Sequence, residues 1–87
     1  MANEELWEEA EKLAGLPYVV TIEQETDDEA QITFVARNPE LPGCISMGSS
    51  EDEAIRNLAE ARKDYIYSLL EDGLRVPRPA KSSNPTT

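Results

Sequence analysis

Five carboxylates fall close together in this chain: Glu23, Glu25, Asp27, Asp28 and Glu29. Clustered acids are the raw material of metal-assisted hydrolysis. That chemistry needs carboxylates converging from different elements on ions about 4 Å apart. Here the acids follow one another along a single stretch, and neither 30–37 nor 44–47 adds an Asp or Glu. No ring of ligands closes, and the acids read as a solvated rim or as a surface turned toward a basic partner. A solvated ion pair contributes only about 0–1 kcal/mol, so such a rim would act mainly by steering. The chain has no histidine. That removes the commonest general base, the commonest metal ligand and every serine or cysteine triad built on one. Cys44 is the single cysteine. With no base in sight to lower its pKa, it reads as a small buried thiol. One cysteine without histidine also rules out a structural zinc site. Gly43 and Gly48 lack the Lys-Ser/Thr ending of a phosphate loop and read as turn residues. Lys12, Arg62, Lys63, Arg75, Arg78 and Lys81 form no basic stripe. No catalytic residue, metal or cofactor is expected.

The elements that hold these residues follow from periodicity. Leu6, Trp7, Ala10, Leu13 and Ala14 give an apolar stripe on a helix over 4–14, with Asn3 as N-cap and acids in its first turn. Gly15 is expected to stop it in a left-handed cap before Pro17. Trp7 is expected to pack on a sheet. A strand over 18–25 points Tyr18, Val20 and Ile22 one way and Val19, Thr21, Glu23 and Glu25 the other. After the acidic turn, a strand over 30–37 points Ile32, Phe34 and Ala36 one way and Thr33, Val35 and Arg37 the other. The two make an antiparallel hairpin. A short strand covers 44–47. A long helix over 51–72 carries Ala54, Ile55, Leu58, Ala61, Tyr65, Ile66, Leu69 and Leu70 on one stripe. Ser50 and Glu53 are spaced as a reciprocal capping box, and Gly73 is its stop. Leu74-Arg75-Val76 is expected as a fourth strand, at an edge because Pro77 and Pro79 follow.

The order is therefore α-β-β-β-α-β, an α+β fold with an antiparallel sheet of three to four strands and helices on one face. The other face is half apolar; Val19, Thr21, Thr33 and Val35 are candidates for an oligomer interface there. At 87 residues the chain is one domain, 1–79 with its core over 18–79, followed by a polar tail at 80–87 expected to be flexible. A core this small favours self-association. Eighteen acids against eight bases give a net charge of −10. That repels phosphate backbones and attracts basic proteins. No apolar run approaches a membrane span, the N-terminus is no secretory signal, and one cysteine fits a reducing cytoplasm.

The most specific stretch is Pro39-Glu40-Leu41-Pro42-Gly43-Cys44-Ile45-Ser46-Met47-Gly48, running directly into the capped helix start Ser50-Glu51-Asp52-Glu53-Ala54. Together with Tyr18-Val19-Val20-Thr21-Ile22-Glu23 before it, and Glu71-Asp72-Gly73 and Val76-Pro77-x-Pro79 after it, this segment resembles the HicB-like antitoxins of bacteria and archaea. The resemblance spans about Tyr18 to Pro79. It implies a partial ribonuclease-H-like fold, dimers or tetramers, and the masking of a small basic HicA-like toxin that cleaves messenger RNA. No DNA-binding module follows Pro79, so direct DNA binding is not expected. The residues proposed to meet the toxin are Glu23, Glu25, Asp27 and Asp28 for their charge, and Glu40 and Leu41 for exposure on a proline-bounded loop. Two alternatives stand beside this reading. One is an orphan oligomeric module without a toxin. The other is a metal-dependent ribonuclease-H-like nuclease using Glu23, Glu25 and the turn acids.

Overall fold

The computed structural model describes residues 4–79. In chain order they form α1 (Glu4–Ala14), β1 (Thr21–Thr26), β2 (Ile32–Arg37), β3 (Ile45–Gly48) and α2 (Glu51–Glu71). The sheet is antiparallel in the order β1-β2-β3. This is the expected α+β architecture. The tail at 80–87 and the Asn3 cap lie outside the described residues. No helix among the described residues is long and apolar enough to cross a membrane.

α2 lies across β3 and β2, and α1 packs on α2. The molecule is only 18 Å along its shortest principal axis, because one helical layer covers one face of one sheet. Ala10, Leu13 and Ala14 of α1 are buried at i, i+3 and i+4, and meet a core containing Ala54, Leu58 and Ile66 of α2. Burial of a leucine or isoleucine contributes about 1.5–3 kcal/mol. Trp7 meets α2 and not the sheet: its ring is edge-on to Tyr67 with centroids 5.2 Å apart, and Lys63 Nζ sits 5.5 Å from it.

The register pairs Glu23 with Val35 and Val35 with Met47. Side-chain alternation then places Thr21, Glu23, Glu25, Thr33, Val35, Arg37, Ile45 and Met47 on the open face, away from α2. Ile22, Phe34 and Ala36 turn toward the helices and join the core. Val20 and Ile32, expected on that same covered face, remain 38% and 47% exposed. The ends of the hairpin overhang the helical layer.

β3 runs into α2 at very close range. A Cβ built on Gly48 would lie 2.5 Å from the Ala54 amide nitrogen, so only glycine lets strand and helix abut there. Ser50 caps α2 by accepting the Glu53 amide, as expected. The reciprocal half differs. The Glu53 carboxylate takes the Ser49 amide at 2.6 Å and the Ser49 hydroxyl at 2.8 Å, one residue earlier than the box predicts.

Three other expectations are corrected. β1 begins at Thr21, because the Val19 amide and carbonyl just before it are taken by the Glu40 and Asn38 side chains. Leu74–Val76 is not a strand. Val76 is buried and the Pro77 carbonyl accepts the Tyr18 hydroxyl, so side-chain packing and one side-chain bond fix this segment without a ladder. Gly15 takes no positive φ, whereas Gly73 does, at 71°. The Gly15 amide instead bonds back to the Glu11 and Lys12 carbonyls.

Candidate partner-binding surfaces

The acidic hairpin is built by β1, β2 and the turn between them. Asp27 organises that turn: its Oδ1 accepts the Glu29 and Gln31 amides at 2.8 and 2.9 Å. Its backbone pairs with Gln31 and Ala30, and Ala30 takes φ 64°. This is the local bonding that makes aspartate a turn residue. Glu23 faces Arg37 at 3.5 Å, with both side chains about half exposed. Such a pair is worth about 0–1 kcal/mol. Glu23, Glu25, Asp27 and Asp28 are all exposed. Among the described residues, no three His, Cys, Asp or Glu side chains are grouped to hold a metal ion. The hairpin acids do not form the converging set that two-metal hydrolysis requires.

Glu40 and Leu41 are positioned otherwise. Glu40 is half-buried and its Oε1 accepts the Val19 amide at 2.8 Å. Leu41 was selected for exposure and is fully buried, at 0%. The loop folds back on itself: the Leu41 amide bonds to the Asn38 carbonyl and the Cys44 amide to the Leu41 carbonyl. This double turn tucks the leucine into the core, so Leu41 is a packing residue that presents no surface to a partner.

Behind that loop lies a polar knot that the sequence reading missed. Asn38 is 1% exposed. Its Nδ2 donates to the Val19 carbonyl at 2.9 Å, and its Oδ1 accepts from Arg62 at 3.2 Å. Arg62 Nε also donates to the Ala14 carbonyl at 2.9 Å. One asparagine and one arginine thus tie the end of α1, the approach to β1, the end of β2 and α2 together. The Cys44 thiol lies 3.6 Å from the same Asn38 oxygen. Burial pushes its pKa up, against a weaker pull from Arg62. A protonated buried thiol is no nucleophile. The only clue in the sequence was an asparagine at the end of a strand, just before a proline.

Of the four residues proposed for an oligomer interface, Val19 is 51% exposed and Val35 only 3%; Thr21 is exposed and Thr33 half-buried. The larger apolar side chains on that face are Ile45 and Met47, 41% and 56% exposed. Neither was selected from sequence. Their alternation with Ser46 and Gly48 was the available signal.

Residues 18–85 match the family described as the HicB_like antitoxin of bacterial toxin-antitoxin systems. The chain belongs to the HicB-like antitoxin family. It is similar to a UPF0150 protein of Thermoplasma acidophilum, 35% identical over 63 residues that cover 72% of this chain and 86% of that one. A UPF0150 protein of Synechocystis is 39% identical over 61 residues, covering 70% of this chain and 72% of its own. The crystal structure of TTHA0281 from Thermus thermophilus matches with a TM-score of 0.58 at 28% identity, over 85% of this chain and 80% of that one. The family match includes the hairpin, the Pro39–Gly48 segment and α2; α1 precedes it.

Proposed function

We propose that this chain is an antitoxin that neutralises a small, basic, messenger-RNA-cleaving toxin of the HicA type by binding it and covering its active site. The observation that carries this reading is the match of residues 18–85 to the HicB-like antitoxin family. The charge distribution supports it. The net charge is −10, and Glu23, Glu25, Asp27 and Asp28 stand exposed on a hairpin that overhangs the helical layer. An acidic projection attracts a basic partner and raises the rate of encounter. Inhibition is then occlusion: RNA and antitoxin compete for one basic surface on the toxin, and the antitoxin performs no chemistry. The complex forms in the cytoplasm, and this segment does not itself bind DNA.

The test is co-purification of this chain with the small basic protein encoded beside its gene, followed by an RNA-cleavage assay. A stoichiometric complex in which cleavage is lost is the expected result. No complex, with cleavage undiminished, rejects the proposal.

A further inference from the structure

A cleft of about 350 Å³ opens where α1, the last turn of α2 and the segment after α2 meet. Its volume lies in the range of small-molecule sites. Leu13, Leu70, Leu74 and Val76 give it apolar walls, and three charged residues, Glu9, Arg75 and Arg78, complete the lining. By charge the two arginines stand apart. The chain has eighteen acids against eight bases. Arg37 and Lys63 are paired with glutamates, and Arg62 is engaged by the Ala14 carbonyl and Asn38. Among the described residues, no carboxylate lies within ion-pair distance of Arg75 or Arg78, although Glu9 lines the same cleft. Leu74, beside them in the lining, is 55% exposed. Unpaired cations and an uncovered leucine thus share one concave surface. The backbone that carries them is held. The Gly73 and Leu74 amides bond back to the Leu70 and Leu69 carbonyls at 3.1 and 2.9 Å, with Gly73 at positive φ, which closes α2. Between the two arginines, Val76 is buried and the Pro77 carbonyl accepts the Tyr18 hydroxyl. A frame held in this way lowers the ordering cost of binding.

We infer that this cleft binds a small amphipathic acid, with one carboxylate set against the Arg75 and Arg78 guanidiniums and an apolar body laid on Leu13, Leu70, Leu74 and Val76. A guanidinium offers a planar fork of donors that matches a carboxylate. The apolar walls reward a hydrocarbon body in proportion to the area that leaves water. The charge count limits the ligand to one anionic group. Two arginines and one glutamate leave the lining with a single net positive charge. A second carboxylate would meet Glu9, and Glu71 and Asp72 stand at the end of the adjoining helix; like charges at short range repel. All three charged residues of the lining are exposed, so water weakens their attraction and the affinity is modest.

Titration of the full chain with octanoate, followed by NMR of backbone amides and methyl groups, tests this. The expected result is saturable, low-millimolar binding whose shifts centre on Leu13, Leu70, Leu74 and Val76. Hexanoate binds more weakly, by up to about four-fold for each methylene removed. Octanamide, which lacks the charge, and suberate, which adds a second carboxylate, each bind at least about five-fold more weakly than octanoate. Arg75→Gln and Arg78→Gln each weaken octanoate by about five-fold and leave octanamide unchanged. Glu9→Gln narrows the gap between suberate and octanoate. Thermal melts by circular dichroism confirm that each variant folds. Absence of saturation overturns the inference, as do shifts centred away from the cleft, or octanamide binding as tightly as octanoate. So does tighter binding of leucine, whose ammonium Glu9 would then hold, or of an acetylated peptide ending in leucine, which would make the cleft a reader of protein carboxyl ends. No toxin enters the measurement, so its outcome is separate from that of the antitoxin proposal.

Discussion

In β1 every residue but Ile22 is exposed, and the turn that follows is exposed throughout. In the other half of the molecule, where α2 crosses β3 and α1 packs on α2, Leu41, Ala54, Leu58 and Ile66 have no exposed surface at all. One half of this small chain therefore carries most of the apolar burial, and the other carries charge on a strand held chiefly by its ladder. Elements with few buried contacts are the ones free to meet partners, because changing their surface costs little stability. The difference is sharp enough to be broken by substitutions on either side.

The largest effect belongs to the packed half. Leu58 lies at 0% exposure in the middle of α2, so Leu58→Ala removes apolar contacts and leaves a cavity. A loss of about 2–5 kcal/mol is expected in urea unfolding followed by circular dichroism. For a domain this small that is a large part of the total. A loss under about 1 kcal/mol would mean that α2 is not the anchor of the fold.

Asn38→Ala comes next. It leaves the Val19 carbonyl without its side-chain donor and takes an acceptor from Arg62. A buried group deprived of its partner costs about 1–3 kcal/mol. The change also unties α1 from the sheet, so amide exchange should quicken at Val19 and along the C-terminal turn of α1 more than at the β1–β2 turn. Uniform quickening would show that the knot adds stability without joining these elements.

Much of the fold was legible in the sequence, and the reasons are local. Period 3.6 gave both helices, period 2 gave the hairpin and its faces, and Ser50 marked the start of α2. What was not legible depends on where distant segments meet. Leu41 sits between two prolines in a stretch that reads as an exposed loop, yet the turn bonds from Asn38 to Cys44 fold it inward. Trp7 has the right spacing for a buried stripe, but spacing cannot say whether a sheet or a helix lies opposite. Leu74–Val76 alternates like a strand, but its place is set by the buried Val76 and the Tyr18 hydroxyl on the Pro77 carbonyl and not by a ladder. The polar knot was hidden for the same reason: Asn38 and Arg62 are 24 positions apart, with no pattern linking them. Of the residues proposed for partner binding, Glu23, Glu25, Asp27 and Asp28 are exposed as charge alone suggested, because a polar turn has few other places to go.

The turn between β3 and α2, inside the packed half, gives a smaller, pH-dependent effect. The Ser49 amide holds the Glu53 carboxyl below the usual glutamate range, with the Ser49 hydroxyl adding to it. A carboxyl whose folded-state pKa is depressed contributes stability above its unfolded value, about 4.3, and loses it as the pH falls through the lower folded value. Acid titration of stability should therefore lose part of its slope below about pH 4.3 in Glu53→Gln, while the two proteins run parallel at neutral pH. Ser50→Ala removes the other half of the cap and should cost about 1 kcal/mol at any pH. An unchanged acid limb in Glu53→Gln would place the acid sensitivity elsewhere.

The smallest effect on stability belongs to the hairpin, and there the two halves separate most clearly. Glu25 is an exposed carboxylate on β1 with Thr33 across the ladder. Glu25→Gln should leave the unfolding midpoint within about 0.5 kcal/mol of the parent, as surface changes do. Its consequence is kinetic. If the hairpin draws in a basic partner, removing one charge lowers the association rate at low salt, and the deficit shrinks as added salt screens the parent. Stopped-flow association measured at two ionic strengths separates this from a lost contact, which would raise the dissociation rate at both. A variant that unfolds early would assign the hairpin to the packed half. A variant that associates at the parental rate in low salt would leave its acids as a solvated rim.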